Sequence, residues 1–143
     1  AYVLRTPLTL QASFPRAGAS RSRCAATYRG SHAFSEAEPA AIKKHLESLG
    51  HDRVKMYLSL HSYSQYLLLP YGFTRTRPDD YAHLEYVAKA AAEELRAVHG
   101  TTYTVGNVID LLYPASGTSM DWAKSKLGVK HSYTFELRDT GLF

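Results

Sequence analysis

Residues 53–73 constrain the fold more than any other stretch, because two strand patterns there flank a single histidine. Residues 54–60 alternate apolar with polar or aromatic side chains, a period of two that is typical of a β-strand. The apolar positions are Val54, Met56, Leu58 and Leu60. The alternation stops at His61, and a second short strand pattern, residues 65–69, runs to a turn at residues 70–72. We therefore expect a buried strand that ends at His61, followed closely by another strand.

His61 stands where ligands commonly bind in α/β proteins. In open α/β sheets, binding sites lie at the carboxyl ends of strands. An imidazole can hold a metal or move a proton near neutral pH, so His61 is a candidate for either role. The other interpretation is a structural histidine held by hydrogen bonds, and this pattern alone does not decide between the two.

A helix is predicted after the capping-box pattern at residues 35–38. The hydroxyl of Ser35 can accept a hydrogen bond from a free amide of the first turn, while Glu38 reaches back to the start of the helix. The helix should run from about Glu36 to Leu49 and end at Gly50. Residues at three-and-four spacing form its apolar face. These residues are Ala41, Ile42, His45, Leu46 and Leu49.

Two more helices are predicted further along the chain. The second begins near residues 78–80, has an apolar face at helical spacing, and ends at Gly100. The third covers residues 119–127, and either Ser116 or Thr118 can cap it. Between these helices lie a strand pattern at residues 101–105 and an apolar run at residues 108–112. Alternating helices and strands of this kind predict an α/β fold.

The last strand pattern, residues 131–137, places Glu136 on a polar face. The apolar face holds Tyr133, Phe135 and Leu137, and the polar face holds Ser132, Thr134 and Glu136. A carboxylate on such a face can act as a general base. Since Arg138 and Asp139 follow directly, the alternative for Glu136 is a surface ion pair.

Composition narrows the class of protein. With 143 residues, 45% hydrophobic and 21% charged, the chain has the size and balance of one soluble globular domain. The net charge is +4, but the 17 Lys and Arg are scattered without a dense basic run, so a nucleic-acid partner is not predicted. No apolar stretch approaches a membrane-spanning length, and residues 1–10 lack a signal-peptide pattern. The single cysteine, Cys24, cannot form an intrachain disulfide.

Three sequence blocks and one upstream segment carry a resemblance to a known family. The blocks are H-S-Y-S-Q-Y-L-L-L-P-Y-G at 61–72, Y-P-A-S-G-T-S-M-D-W at 113–122 and S-Y-T-F-E-L-R-D-T-G at 132–141. Together with the segment at 17–38, which begins A-G-A-S, these blocks resemble the zinc metallocarboxypeptidases of the pancreatic carboxypeptidase A and B type. They occur in that family's order and at about its spacing. The resemblance covers residues 17–141 and leaves residues 1–16 divergent.

The resemblance implies a fold and a setting. It identifies the 143 residues as a partial peptidase catalytic domain, the C-terminal half of an α/β/α sandwich with a mixed, mainly parallel sheet. It implies a secreted, monomeric enzyme that binds one zinc ion and acts on peptide or protein C-termini, with neither nucleic acid nor membrane as partner. It also implies that Cys24 would pair with an upstream cysteine, which this chain does not contain.

The resemblance also assigns roles to residues. It makes His61 a zinc ligand, Glu136 the catalytic base and then acid, and Tyr113 a mobile tyrosine that closes over bound peptide. Ser62 and Tyr63 would line the subsites before the scissile bond. Met120 would lie at the base of the pocket for the C-terminal side chain, where an apolar residue favours aromatic and aliphatic ends. The remaining pocket residues would be Leu68, Leu112, Ala115, Thr118 and Thr134.

Some parts of the family pattern are missing from the chain. The family holds zinc with a His-x-x-Glu pair besides the later histidine, and none of the seven histidines here begins such a pair. The Asn-Arg pair that docks the terminal carboxylate is also absent. We therefore expect the chain alone to be inactive, and the alternative function is a truncated, non-catalytic product. For Met120 the alternative is a plain core residue, and Asp121 is expected to serve the start of its helix rather than the pocket.

Overall fold

The computed structural model describes residues 18–50 and 52–138. The segment 1–16, which the resemblance leaves out, and residues 139–141 at the end of the resemblance lie outside the described residues. Helices and strands occur in the following order: α1 (Ala37–Leu49), β1 (Met56–Ser62), β2 (Tyr66–Leu69), α2 (Tyr81–His99), β3 (Thr104–Asn107), α3 (Val108–Leu111), α4 (Ser119–Ser125) and β4 (His131–Leu137). None of the helices in these two ranges combines the length and apolar character that a membrane crossing needs.

The four strands form one mixed sheet in the order β1-β4-β2-β3. The β1–β4 and β2–β3 pairs are parallel, and β2 and β4 run antiparallel. Helix α2 packs on one face of the sheet and α4 on the other. The mixed, mainly parallel α/β sheet predicted above is thereby confirmed.

Alternation along the strands gives the sheet two different faces. The face that α2 covers, here called the outer face, includes Leu60, Phe135 and Leu67, which lie in one row across β1, β4 and β2. The opposite face, here called the cavity face, carries His61 and Glu136, also in register. The predicted division of β4 into an apolar and a polar face is therefore confirmed.

The core on the outer face lies beneath α2. Leu67, Leu69 and Tyr133 pack against Leu84 and Ala88, and all five are at most 3% exposed. The phenol of Tyr133 donates a hydrogen bond to the backbone oxygen of Leu84 at 3.2 Å, which satisfies its buried hydroxyl. This contact fixes α2 over the centre of the sheet.

The second half of the chain follows its sequence signals closely. Thr118 is the N-cap of α4, since its side chain accepts a hydrogen bond from the amide of Asp121 at 3.2 Å. Helix α2 ends where predicted, with Gly100 in the left-handed conformation. The third strand, Thr104–Asn107, begins later than expected, and the apolar run that follows it forms the short helix α3.

The capping-box prediction for α1 is wrong. The N-cap is Glu36, and no side chain caps the helix. The hydroxyl of Ser35 instead donates to the carboxylate of Glu36 at 2.7 Å. Along the predicted apolar face, Leu46 is partly buried, whereas Ile42 and Leu49 are 46% and 42% exposed.

The expected burial of β1 is also wrong, although the strand itself forms as predicted. Met56, Leu58 and Leu60 are between 47% and 65% exposed. The strand lies at one edge of the sheet, and within residues 18–50 and 52–138 no element covers its outer face. Alternation showed that these residues share a face, but their burial depends on what packs against that face.

Candidate active site

His61 and Glu136 meet at the carboxyl ends of two parallel strands. The register of β1 and β4 places them side by side on the cavity face. The His61 Nδ1 atom lies 3.6 Å from Glu136 Oε1, and the Nε2 atom lies 2.9 Å from the hydroxyl oxygen of Ser59. Their side chains are 27% and 16% exposed, respectively. The strand-end position therefore brings together an imidazole and a carboxylate that are 75 residues apart in sequence.

Desolvation determines the charge state of this pair. Burial lowers the pKa of His61 and raises the pKa of Glu136, so each group moves toward its neutral form. Both shifts weaken the ionic character of the 3.6 Å contact. A neutral imidazole keeps a lone pair for a metal, and a carboxylate with a raised pKa is better suited to accept a proton.

A cavity of about 510 Å³ opens beside His61 and Glu136. This volume lies within the range of small-molecule binding sites. All residues that the sequence analysis assigned to the site line the cavity. They are His61, Ser62, Tyr63, Leu68, Leu112, Tyr113, Ala115, Thr118, Met120, Thr134 and Glu136.

Part of the cavity lining is apolar. Leu68, Val108 and Met120 form one buried cluster, with Leu112 and Ala115 packed against it. Met120 is 1% exposed within this cluster, and it also lines the cavity.

A hydrogen bond fixes the helix that carries Met120 to the sheet. The hydroxyl of Ser132 on β4 donates to the backbone oxygen of Met120 at 2.8 Å. Ser132 is fully buried, so this bond satisfies a hydroxyl that water cannot reach. The part of the cavity lining that Met120 forms is therefore attached to the same strand as Glu136.

Tyr113 lies at the rim. It is 61% exposed and begins the segment 113–118 that joins α3 to α4. Tyr63, which follows β1, is 44% exposed. Both phenols can therefore reach a ligand in the cavity without leaving solvent entirely.

One wall of the cavity comes from a segment that the sequence analysis did not assign to the site. Gly18, Ala19 and residues 27–29 line it, and a bridge between Ser20 and Tyr28 holds the segment together. The composition of this segment, Gly, Ala, Ser and Arg without periodicity, is typical of a surface loop. Gly18 has φ +76°, and a Cβ there would lie 2.0 Å from the backbone oxygen of Pro114, so this position requires glycine.

The donor set within residues 18–50 and 52–138 does not hold a metal by itself. His61 offers one imidazole, and no group of three or more His, Cys, Asp or Glu in those ranges is arranged for a metal. A catalytic zinc requires three protein ligands and an open position. The described residues therefore fit zinc only as part of a larger ligand set.

Comparisons with known proteins agree with this geometry. A family model described as zinc carboxypeptidase (peptidase M14) matches residues 10–143. Carboxypeptidase A1 of Rattus norvegicus is 47% identical over 131 residues, which are 92% of this chain and 30% of the relative. Carboxypeptidase B of Astacus astacus is 45% identical over 124 residues, 87% of this chain and 41% of the relative.

Solved structures show the same relationship. Bovine thrombin-activatable fibrinolysis inhibitor, in complex with tick carboxypeptidase inhibitor, superposes with a TM-score of 0.82 at 41% identity, over 87% of this chain and 42% of that chain. Carboxypeptidase A from Helicoverpa armigera gives a TM-score of 0.79 at 30% identity, over 87% of this chain and 31% of that chain. The chain spans about a third of the length of the curated mammalian relatives it matches. By its sequence, its sheet and the family match over residues 10–143, this chain belongs to the zinc carboxypeptidase family.

Proposed function

We propose that the protein containing this chain is a zinc-dependent carboxypeptidase that removes single residues from peptide C-termini and prefers aromatic and aliphatic ends. One observation carries the proposal: a single cavity joins the His61–Glu136 pair to an apolar end at Met120. A peptide could thus place its last side chain at the apolar end while its last peptide bond lies beside Glu136.

Glu136 is the proposed proton carrier. Its carboxylate accepts a proton from the attacking water and delivers it to the leaving amine, first as general base and then as general acid. Partial burial supports this role, because the carboxylate is kept close to the cavity and away from bulk water. The surface ion-pair alternative has less support, since the Glu136 carboxylate is partly buried against the imidazole of His61.

His61 is the proposed zinc ligand of this segment. If its Nε2–H donates to Ser59, the Nδ1 lone pair on the Glu136 side is free for the metal. When bound, zinc supplies Lewis acidity to polarise a carbonyl. The remaining ligands would come from outside the described residues.

The cavity walls support a preference for apolar ends. A basic C-terminal side chain taken out of water needs a buried carboxylate, and the thioether of Met120 cannot replace one. Leu68, Leu112 and Ala115 extend the apolar surface, and Thr118 and Thr134 narrow it. Ser62 and Tyr63 are placed to contact residues before the scissile bond, and Tyr113 to close over the peptide.

A second candidate is a non-catalytic product. Two observations favour it: the sequence contains no His-x-x-Glu pair, and residues 18–50 and 52–138 contain no metal-binding cluster. Both candidates predict that the 143-residue chain alone does not release phenylalanine from a C-terminal Phe substrate with zinc present. Zinc-dependent release by the pure chain would contradict this prediction. A His-x-x-Glu pair upstream in the transcript would favour the enzyme.

The decisive experiment restores the rest of the domain. Residues 17–141 would replace the matching segment of rat carboxypeptidase A1, and hydrolysis of a C-terminal Phe peptide would be measured with and without zinc. Zinc-dependent turnover that Glu136→Gln abolishes supports the proposal. A folded, zinc-loaded chimera without turnover would overturn it.

By the same family resemblance we infer a secreted, monomeric protein whose partners are peptide or protein C-termini.

A further inference from the structure

Asp121 is a buried carboxylate that the proposed chemistry does not use. It is 1% exposed in the first turn of α4, directly after Met120, yet it does not line the cavity. Its two oxygens accept from the amide of Gly72 at 3.2 Å and 3.0 Å. Phe73, through its amide, and Thr118, through its side chain, also hydrogen-bond to it. Besides its place in the first turn of α4, Asp121 therefore binds the backbone of residues 72 and 73.

Gly72 is a junction between Asp121 and the cavity wall. Its carbonyl accepts a hydrogen bond from the amide of Ala115 at 2.8 Å. A Cβ at this position would lie 2.8 Å from the backbone oxygen of Ala115 and 3.3 Å from a methyl carbon of Val108. The close approach therefore leaves no space for a side chain at residue 72. A continuous path runs from Asp121 through the Gly72 peptide to Ala115.

We propose that Asp121 is a positioning residue, whose carboxylate holds Gly72 and thereby fixes Ala115 and the segment 113–118 along the cavity. This segment contains Tyr113 at the rim and Thr118 at the cap of α4. The part of the inference that concerns substrate binding rests on the proposed function. The part that concerns the structure of the segment does not.

The surroundings of Asp121 make it sensitive to pH. Burial raises its pKa to about 7, although the hydrogen bonds from Gly72, Thr118 and Phe73 act in the opposite direction. The nearby titratable group is Tyr71, whose pKa is raised by burial and by Asp121, Asp80 and Asp79. Amide donors bind an ionised carboxylate more strongly than a neutral acid, so the contact with Gly72 should tighten as pH rises through this range.

Amide hydrogen exchange in the 143-residue chain tests the link directly. Asp121→Asn keeps the side-chain size but replaces one acceptor oxygen with a donor. We expect exchange at Gly72 and Ala115 to become at least about tenfold faster in this variant. The amide of Gly100, which donates to Arg96 at 2.7 Å at the far end of α2, should not change. Asp79→Asn, an exposed carboxylate near Tyr71, is the matched control and should leave all three amides unaffected.

A measurement on the unmodified chain decides the case if Asp121→Asn does not fold. The amide proton of Gly72 should shift with pH and follow the Asp121 carboxyl, with a midpoint of about 7. A Gly72 amide whose shift is flat over the whole pH range in which the chain stays folded would overturn the proposal, as would unchanged exchange in a folded Asp121→Asn variant.

The consequence for substrate is measured separately in the restored domain. There, Asp121→Asn should raise KM for a Phe substrate about tenfold with little change in kcat. An inactive restored domain would count against the proposed function alone, since the exchange and titration results do not depend on turnover. An active domain whose KM is unchanged by Asp121→Asn would overturn the positioning role.

Discussion

Leu60 and Leu67 are the same residue type on the same face of the same sheet, in one row on either side of Phe135. Leu60 is 65% exposed and Leu67 is 1% exposed. The difference comes from the neighbouring layer, because α2 lays Leu84 and Ala88 over β2, while in the described ranges nothing lies over β1. An apolar side chain on a strand therefore stabilises the fold only where another element removes it from water.

The two faces of β4 extend this comparison from stability to chemistry. Phe135 and Glu136 are adjacent in sequence and point to opposite faces. The outer face packs apolar side chains under α2, whereas the cavity face places a carboxylate against His61. Substitutions on the two faces should therefore separate loss of folding from loss of function.

The largest effect is expected at Glu136. In the restored domain, Glu136→Gln should lower kcat by about 10³-fold, which corresponds to about 4 kcal/mol, because the proton carrier is lost. Its urea unfolding midpoint should hardly change. Phe135→Leu is the control on the opposite face, and it should lower stability while turnover per folded molecule stays within about twofold. Substantial turnover by Glu136→Gln would remove the catalytic assignment.

The Leu60–Leu67 pair predicts the next largest effect. Leu67→Ala should reduce the free energy of unfolding of the chain by about 3 kcal/mol, because it leaves a cavity under α2. Leu60→Ala should change it by less than about 0.5 kcal/mol, since the side chain is already in water. Urea titration followed by circular dichroism measures both. Equal losses would mean that something covers β1 in solution.

A smaller effect is expected at Met120, on the cavity face. In the restored domain, C-terminal Phe or Leu should be cleaved at least about tenfold better than Lys or Arg, a difference of about 1.4 kcal/mol. Met120→Asp should shift the preference toward basic ends, and Met120→Leu should preserve the original one. The ratio of kcat/KM values is the measurement. Equal or better cleavage of Lys by the unmodified domain would show that Met120 does not set specificity.

Local signals were sufficient for much of the fold. The end of α2 at Gly100, the Thr118 cap and the alternation of β4 each depend on residues within a few positions of one another. The burial of β1 cannot be predicted from neighbouring residues in this way. The local sequence pattern around Leu60 is the same whether or not another layer covers the strand. For α1 the failure was also tertiary, since Ile42 shares a face with Leu46 but lies beyond the reach of the Trp122 cluster.

The site could be predicted only where family motifs marked it. Motif resemblance named eleven residues that line one cavity, although periodicity alone gave no reason to join His61 with Met120. The wall at residues 27–29 and the Asp121–Gly72 contact were missed, because both depend on backbone approach between distant segments.

A substitution on the exposed part of the outer face should have the smallest effect on stability. It should nevertheless change the association between copies of the chain measurably. Met56, Leu58 and Leu60 present an apolar strip on an edge strand, and such edges promote pairing between copies. Leu60→Thr introduces a β-branched residue suited to a strand and should change the unfolding free energy by less than about 0.5 kcal/mol. It should nevertheless reduce self-association of the 143-residue chain, measured by sedimentation velocity at several concentrations. Ser59→Thr, on the cavity face of the same strand, is the matched control and should leave association unchanged. A monomeric unmodified chain at every concentration would show that the exposed leucines do not drive contact between copies.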